Sequence, residues 1–188
     1  MKPLIQFIAL FILLFSGQSF ASGQDKVGVL FGSFGDVDDP KSELRDLVHR
    51  TLTDPDVLPL HPWVSGGIAD LGWFIEKRRL FAEYEAIGGA SGMRKRSQDQ
   101  ADAVAAKLRT QGIDAVGYSG FTMTFPFVSQ ALDQIRKDGV TKLIVIYQGA
   151  QYSKVTAQIL FRHVRDYLKA HRDWTVEAVG LRSFSDDP

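Results

Sequence analysis

The side chains that could bind a catalytic metal are few and poorly spaced for that purpose. The four histidines, His49, His61, His163 and His171, form neither the HxH nor the HExxH spacing that brings two imidazoles to one ion. His163 falls near the apolar stripe of a predicted helix, so we interpret it as a packed histidine. The sequence has no cysteine, which excludes disulfides and iron–sulfur clusters held by thiolates.

Acidic and hydroxyl side chains give no stronger signal. Asp36, Asp38 and Asp39 resemble half of a calcium-binding loop, but the glycine and the distal glutamate of such a loop are missing. A solvated loop is therefore the preferred interpretation. Serines are common, yet no GxSxG elbow is present, so the sequence does not support nucleophilic catalysis.

Two segments rich in small residues suggest ligand contact instead. Gly88, Gly89 and Gly92 could form an anion-binding nest for a carboxylate or phosphate, although an ordinary helix stop and turn is the preferred interpretation. The second segment, QGAQYSKVT at 148–156, follows the apolar run KLIVIY and precedes a helical pattern. It therefore follows the carboxyl end of a predicted strand.

The elements that would position these segments alternate between strand and helix. Apolar runs predict strands at 26–32, 113–119, 142–147 and 175–181, with amphipathic helices between them. Because the strands are apolar on both faces, we predict a Rossmann-like three-layer α/β/α sandwich around a mainly parallel four-stranded sheet. Ligands bind such sheets outside the carboxyl ends of the strands, where 148–156 begins.

Three local predictions refine this outline. The prolines and glycines of 55–72 predict a long irregular excursion, and Ser97 with Gln100 predicts a capping box at the start of a helix. Trp63, Trp73 and Phe74 flank the excursion. They could line an apolar ligand face, pack in the core or contact a membrane surface.

The length and composition of the chain limit the classes of protein to which it can belong. The chain has 188 residues, of which 45% are hydrophobic and 23% charged, and its formal net charge is zero. This length and composition are sufficient for one globular core, and the zero net charge argues against nucleic acid as a partner.

Residues 1–21 predict a secretory signal peptide, with an apolar run from Leu4 to Phe15 and a cleavage site at Ala21. The run is short for an uncleaved membrane anchor. We therefore expect an exported, periplasmic domain at 22–188.

Read in order, the blocks VGVLFGSFGD, RTLTDPDV, EYEAIGGASGM…SQDQ, FPFVSQAL and IVIYQGAQYSKVT resemble the N-terminal lobe of the ferrochelatase (class I chelatase) family. The resemblance extends from Lys26 to Pro188. No single block is specific, but five in the same order with matching gaps are much more so.

The resemblance implies one lobe of a two-lobed chelatase fold with a porphyrin cleft between the lobes. It implies ferrous iron and porphyrin as substrates, porphyrin or haem as partner, and no permanently bound cofactor. The substrate-binding residues that it implies are Gly89, Ser91, Gln151, Tyr152 and Ser153. It assigns no catalytic residue or metal ligand to this chain, since the family's catalytic histidine and glutamate lie in the second lobe.

Departures from the family pattern keep alternatives open. Thr122 replaces an arginine of the family, and Tyr147, Gly149 and Ala150 replace two prolines and a tyrosine. The chain could be the first lobe of an exported ferrochelatase-like protein, completed by a missing second lobe or a partner chain. It could instead be a non-catalytic exported tetrapyrrole- or metal-binding protein, or a Rossmann-like lobe whose glycine loops are only turns.

Overall fold

The computed structural model describes residues 25–149 and 151–181. The predicted signal peptide lies outside these ranges, so export stays a prediction. Within them, the strands are β1 Val27–Ser33, β2 Ala115–Phe121, β3 Lys142–Tyr147 and β4 Glu177–Leu181. The helices are α1 Pro40–Thr53, α2 Pro62–Ala86, α3 Met93–Arg109, α4 Val128–Lys137 and α5 Ala157–Ala170.

The four described strands form one parallel sheet in the order β2-β1-β3-β4. Val27 at the start of β1 lies beside Ala115 of β2 and Lys142 of β3. Every residue of β1 is buried, as expected for a central strand covered on both faces. The predicted Rossmann-like α/β sandwich is confirmed.

Small residues allow the helices to pack close to the sheet. On one face, Ala101 and Ala105 of α3 pack against β1 and β2. A Cβ atom added to Gly117 of β2 would lie 2.5 Å from the carbonyl carbon of Ala101, so the backbones of β2 and α3 are in direct contact. On the other face, α4 and α5 cover Leu30 and the neighbouring strands.

Two helix starts differ from the predictions. The irregular excursion predicted for 55–72 is wrong, because α2 already begins at Pro62. Proline is tolerated in a first helical turn, and the glycines of this segment cost the helix only about 1 kcal/mol each. The capping box at Ser97 is also wrong: α3 begins at Met93 after Gly92, and the Ser97 hydroxyl bonds to Gln148 instead of capping the helix.

The fourth strand is less buried than predicted. Ala178 and Gly180 are exposed, because β4 is an edge strand among the described residues and packs mainly against β3. A groove of about 530 Å³ runs between β4 and α5, away from the carboxyl ends of β1 and β2. None of the described helices has the length and apolar content needed to cross a membrane.

Candidate functional site

The carboxyl ends of β1, β2 and β3 are tied together by backbone hydrogen bonds. The carbonyl of Ser33 accepts from the amide of Thr122 at 3.1 Å, and the carbonyl of Gly32 accepts from the amide of Gln148 at 2.9 Å. The loops that leave these three strands therefore start from one connected edge. This is the edge where ligands bind in parallel sheets.

One of the predicted segments forms the turn between α2 and α3. Gly88 and Gly89 have φ angles of +93° and +88°, in the region that favours glycine. The amide of Gly89 donates to the carbonyl of Tyr84 at 2.7 Å, which closes the end of α2. The interpretation as a helix stop therefore describes these glycines, while anion binding by them stays a prediction.

Ser91 connects this turn to its neighbours. Its amide donates to the carbonyl of Val37 at 3.2 Å, and its hydroxyl accepts from the amide of Met93 at 3.1 Å. Ser91 thus fixes the turn to the loop after β1 and satisfies an amide at the start of α3. Gly89 and Ser91, two of the five predicted substrate-binding residues, share one rigid turn.

The other predicted segment follows β3. Gln151 is exposed, and Tyr152 is 46% exposed with its hydroxyl 3.2 Å from Oε1 of Gln158. The carbonyl of Ser153 accepts from the amide of Gln158 at 3.0 Å. The end of this loop is therefore attached to the first turn of α5, with the phenol ring of Tyr152 open to a ligand. Ala150 lies outside the described residues.

A half-buried ion cluster joins α3 to α1 beside the strand ends. The guanidinium of Arg94 lies 2.5 Å from Glu43 Oε2 and 3.8 Å from Asp38. Burial acts to raise the pKa of Glu43, but the hydrogen bonds from Arg94 and the amide of Asp38 outweigh it and hold the pKa below 4.5. Glu43 is thus ionised at neutral pH, and Arg94 is engaged within the protein.

A second contact holds α2 to the loop after β1. The hydroxyl of Tyr84 donates to Asp36 Oδ1, which also accepts from the amide of Val37 at 2.8 Å. Burial and then the Asp36 carboxylate raise the pKa of Tyr84 well above its usual range. Tyr84 therefore stays neutral and serves as a donor, not as a base.

Asp39 and His163 are accounted for by the fold. Asp39 caps α1, its Oδ1 accepting from the amide of Lys41 at 3.1 Å. Burial lowers the pKa of His163, in agreement with its interpretation as a packed residue. No group of three histidine or acidic side chains in the described ranges is arranged to hold a metal ion.

The position to which the resemblance assigns an arginine is a buried threonine. Thr122 is almost fully buried, and its hydroxyl lies 3.3 Å from the carbonyl of Phe34. It holds the loops after β1 and β2 together. Thr122 therefore does not supply the positive charge that the family has at this position.

Helix α2 carries several exposed apolar side chains. Trp63 is 75% and Phe74 is 72% exposed, whereas the ring of Trp73 packs on Phe81. Leu71 and Ile75 are also exposed. The suggestion that Trp63 and Phe74 lie in the core is therefore wrong. An apolar ligand face and contact with a membrane surface stay predictions.

Sequence reasoning missed several residues that build this edge, chiefly Tyr84, Gln148 and Glu43. Their partners lie 48 to 51 residues away in the chain. Local patterns carry no signal for contacts at such separations. The five predicted substrate-binding residues, by contrast, all lie on loops close to the strand ends.

Comparison with known proteins places this geometry in context. A family model described as Ferrochelatase matches residues 26–188. The chain is 30% identical over 155 residues to "Ferrochelatase-1, chloroplastic/mitochondrial" of Arabidopsis thaliana, covering 81% of this chain and 33% of that protein. It is 29% identical over 155 residues to the ferrochelatase of Cyanothece sp., covering 82% of this chain and 39% of the relative. The chain thus spans a little over a third of these relatives' length.

Proposed function

The chain belongs to the ferrochelatase family, and on that premise we propose that it forms the first lobe of a ferrochelatase-like protein of haem biosynthesis. In this proposal the carboxyl edge of the sheet forms one wall of a porphyrin cleft. Gly89 and Ser91 line it from the turn before α3, and Gln151, Tyr152 and Ser153 line it from the loop after β3.

The observation that carries the proposal is the position of these two loops. The family match spans both, both lie at the edge where parallel sheets bind ligands, and the side chain of Gln148 joins the start of the second loop to α3, the helix that follows the first loop. The exposed ring of Tyr152 offers a flat apolar surface, and apolar walls with a few polar groups are typical of small-molecule sites. The relatives are named for the metal-inserting enzyme, so they give no support to a purely binding role.

Metal insertion sets a further requirement. Ferrous iron replaces the two pyrrole protons of the porphyrin, so a base must accept those protons while the ring is held. Two carboxylates near the cleft are engaged, Glu43 with Arg94 and Asp36 with Tyr84, and the resemblance places the family's catalytic histidine and glutamate in the second lobe. We therefore assign the base to a second lobe or partner chain. This chain would contribute ring binding.

Soret-band titration of the 188-residue protein with protoporphyrin tests this function. We expect saturable binding, weakened about tenfold by Tyr152→Ala and much less by Tyr152→Phe, because the ring and not the hydroxyl makes the contact; about tenfold corresponds to about 1.4 kcal/mol. Gln134→Met, an exposed change on α4, is the control. A correctly folded protein that binds no protoporphyrin would contradict the proposal. Unchanged affinity in Tyr152→Ala would contradict the assignment of the loop.

A further inference from the structure

The side chain of Gln148 uses both ends of its amide to reach α3. Its Oε1 accepts from the hydroxyl of Ser97 at 2.8 Å, and its Nε2 donates to Oε1 of Gln100 at 2.7 Å. We call these three residues the Gln148 bridge. It joins the last residues of one strand–loop unit to the first turns of a helix 48 and 51 residues away in the chain.

The bridge is held by burial and by the backbone. Ser97 is 1% exposed, so its hydroxyl has little access to water and depends on Gln148 as an acceptor. The amide of Gln148 donates to the carbonyl of Gly32, which fixes the backbone to the end of β1. Because the backbone of Gln148 is held in this way, its side chain extends toward α3 from a fixed Cα position.

Each side of the bridge leads to part of the candidate site. On the α3 side, the hydroxyl of Ser91 accepts from the amide of Met93 four residues before Ser97, and Gly89 lies just upstream. On the other side, Gln148 is followed by the loop that carries Gln151, Tyr152 and Ser153. The far end of that loop is attached to α5 through Gln158.

We infer that Gln148 is a positioning residue that couples the Gly89–Ser91 turn to the Gln151–Ser153 loop, so that the two walls keep one spacing. The loop is attached to α3 at its start, through the side chain of Gln148, and to α5 at its end, through Gln158. Without the side-chain attachment, the start of the loop is held only by β3 and by the backbone bond to Gly32, so its average position relative to Gly89 and Ser91 becomes variable. The ligand expected for this pair of walls rests on the proposed function, whereas the coupling itself does not.

The test compares Gln148→Met with the native 188-residue protein. Methionine has a similar length and shape but neither donates to Gln100 nor accepts strongly from Ser97. Because two net hydrogen bonds are lost, we expect the backbone amide of Gln158, which donates to the carbonyl of Ser153, to exchange hydrogen about tenfold faster without any ligand. We also expect protoporphyrin to bind about tenfold more weakly in a Soret titration.

Two variants distinguish a loss of loop positioning from a general loss of protein stability. Gln148→Glu keeps a planar acceptor for Ser97, and the side-chain amide of Gln100 can turn to donate to it, so we expect the native exchange rate at Gln158 to be restored. Gln134→Met removes a glutamine that bonds to Asp138 on α4 at 2.7 Å, and it should leave the loop unchanged.

The exchange measurement decides the inference without porphyrin. A native exchange rate at the amide of Gln158 in Gln148→Met would overturn it, as would a uniform increase across β1 and α4 that indicates global unfolding. Faster exchange confined to Gln158 would support it even if the native protein bound no protoporphyrin. That last result would overturn the proposed function alone.

Discussion

The sheet around β1 and the hairpin of α1 and α2 differ sharply in how completely the described chain buries them. β1 is buried along its whole length between helices on both faces. Helix α2 packs mainly along α1 and leaves Trp63 and Phe74 largely exposed. The first region thus meets its packing requirements within this chain. The second presents apolar side chains beyond what its own fold needs, as expected of a surface that meets something else.

The largest expected effect lies at the contact of β2 with α3. Gly117→Ala places a methyl group 2.5 Å from the backbone of Ala101, and a backbone cannot rotate away as a side chain can. We expect a loss of about 3 kcal/mol in the free energy of unfolding, the upper end for an overpacked core. Urea denaturation measures it. A loss below about 0.5 kcal/mol would mean that α3 is not seated firmly on β2.

An intermediate effect is expected where the two regions meet, at Arg94. Arg94→Met removes the partner of Glu43 and leaves a half-buried carboxylate, which should cost about 2 kcal/mol at pH 7. Because the pKa of Glu43 is depressed in the folded protein, this stabilisation is present above pH 4.5 and is lost as the pH falls through the folded value. The native and variant stability curves should therefore converge in acid.

Arg79→Met is the matched control for Arg94. Arg79 pairs with Glu76 and Glu83 on the exposed side of α2, where ion pairs contribute little. We expect no measurable change in its urea midpoint. If Arg79→Met cost as much as Arg94→Met, the ion cluster beside the strand ends would have no special role in joining the hairpin to the sheet.

The smallest effect should have the opposite sign. Apart from its chain neighbours and the backbone of its own helix, no atom of the described residues lies within 4 Å of a Cβ added to Gly67, which is in the interior of α2. Gly67→Ala should stabilise the protein by up to about 1 kcal/mol, because alanine is the better helix former. Thermal unfolding by circular dichroism measures this. A destabilised variant would show that this face of α2 is covered in solution and that the contrast between the two regions is false.

The spacing of apolar residues along the sequence predicts those helices and strands that bury one local stripe of side chains. The pattern assigns the stripe Val128, Ala131, Leu132 and Ile135 to α4, and all four side chains are buried. The start of α2 is missed because Pro62 and the glycines after it resemble helix breakers, although packing along α1 supports a helix there. The role of Ser97 is missed for another reason. A serine followed by a glutamine three residues later has the same local pattern inside a helix as at its start, and only Gln148, distant in sequence, distinguishes the two.

The order of the strands in the sheet also has a consequence for how the chain reaches its fold. β1 is the first described strand in the sequence, yet its neighbours β2 and β3 come much later; the amide of Lys26 bonds to Thr141, 115 residues further on. At a synthesis rate of about 5–20 residues per second, the central strand would wait on the order of 10 s before both neighbours exist. During that time its apolar edges are open to other chains. Folding of this chain is therefore expected to be slow and to depend on what shields the nascent β1.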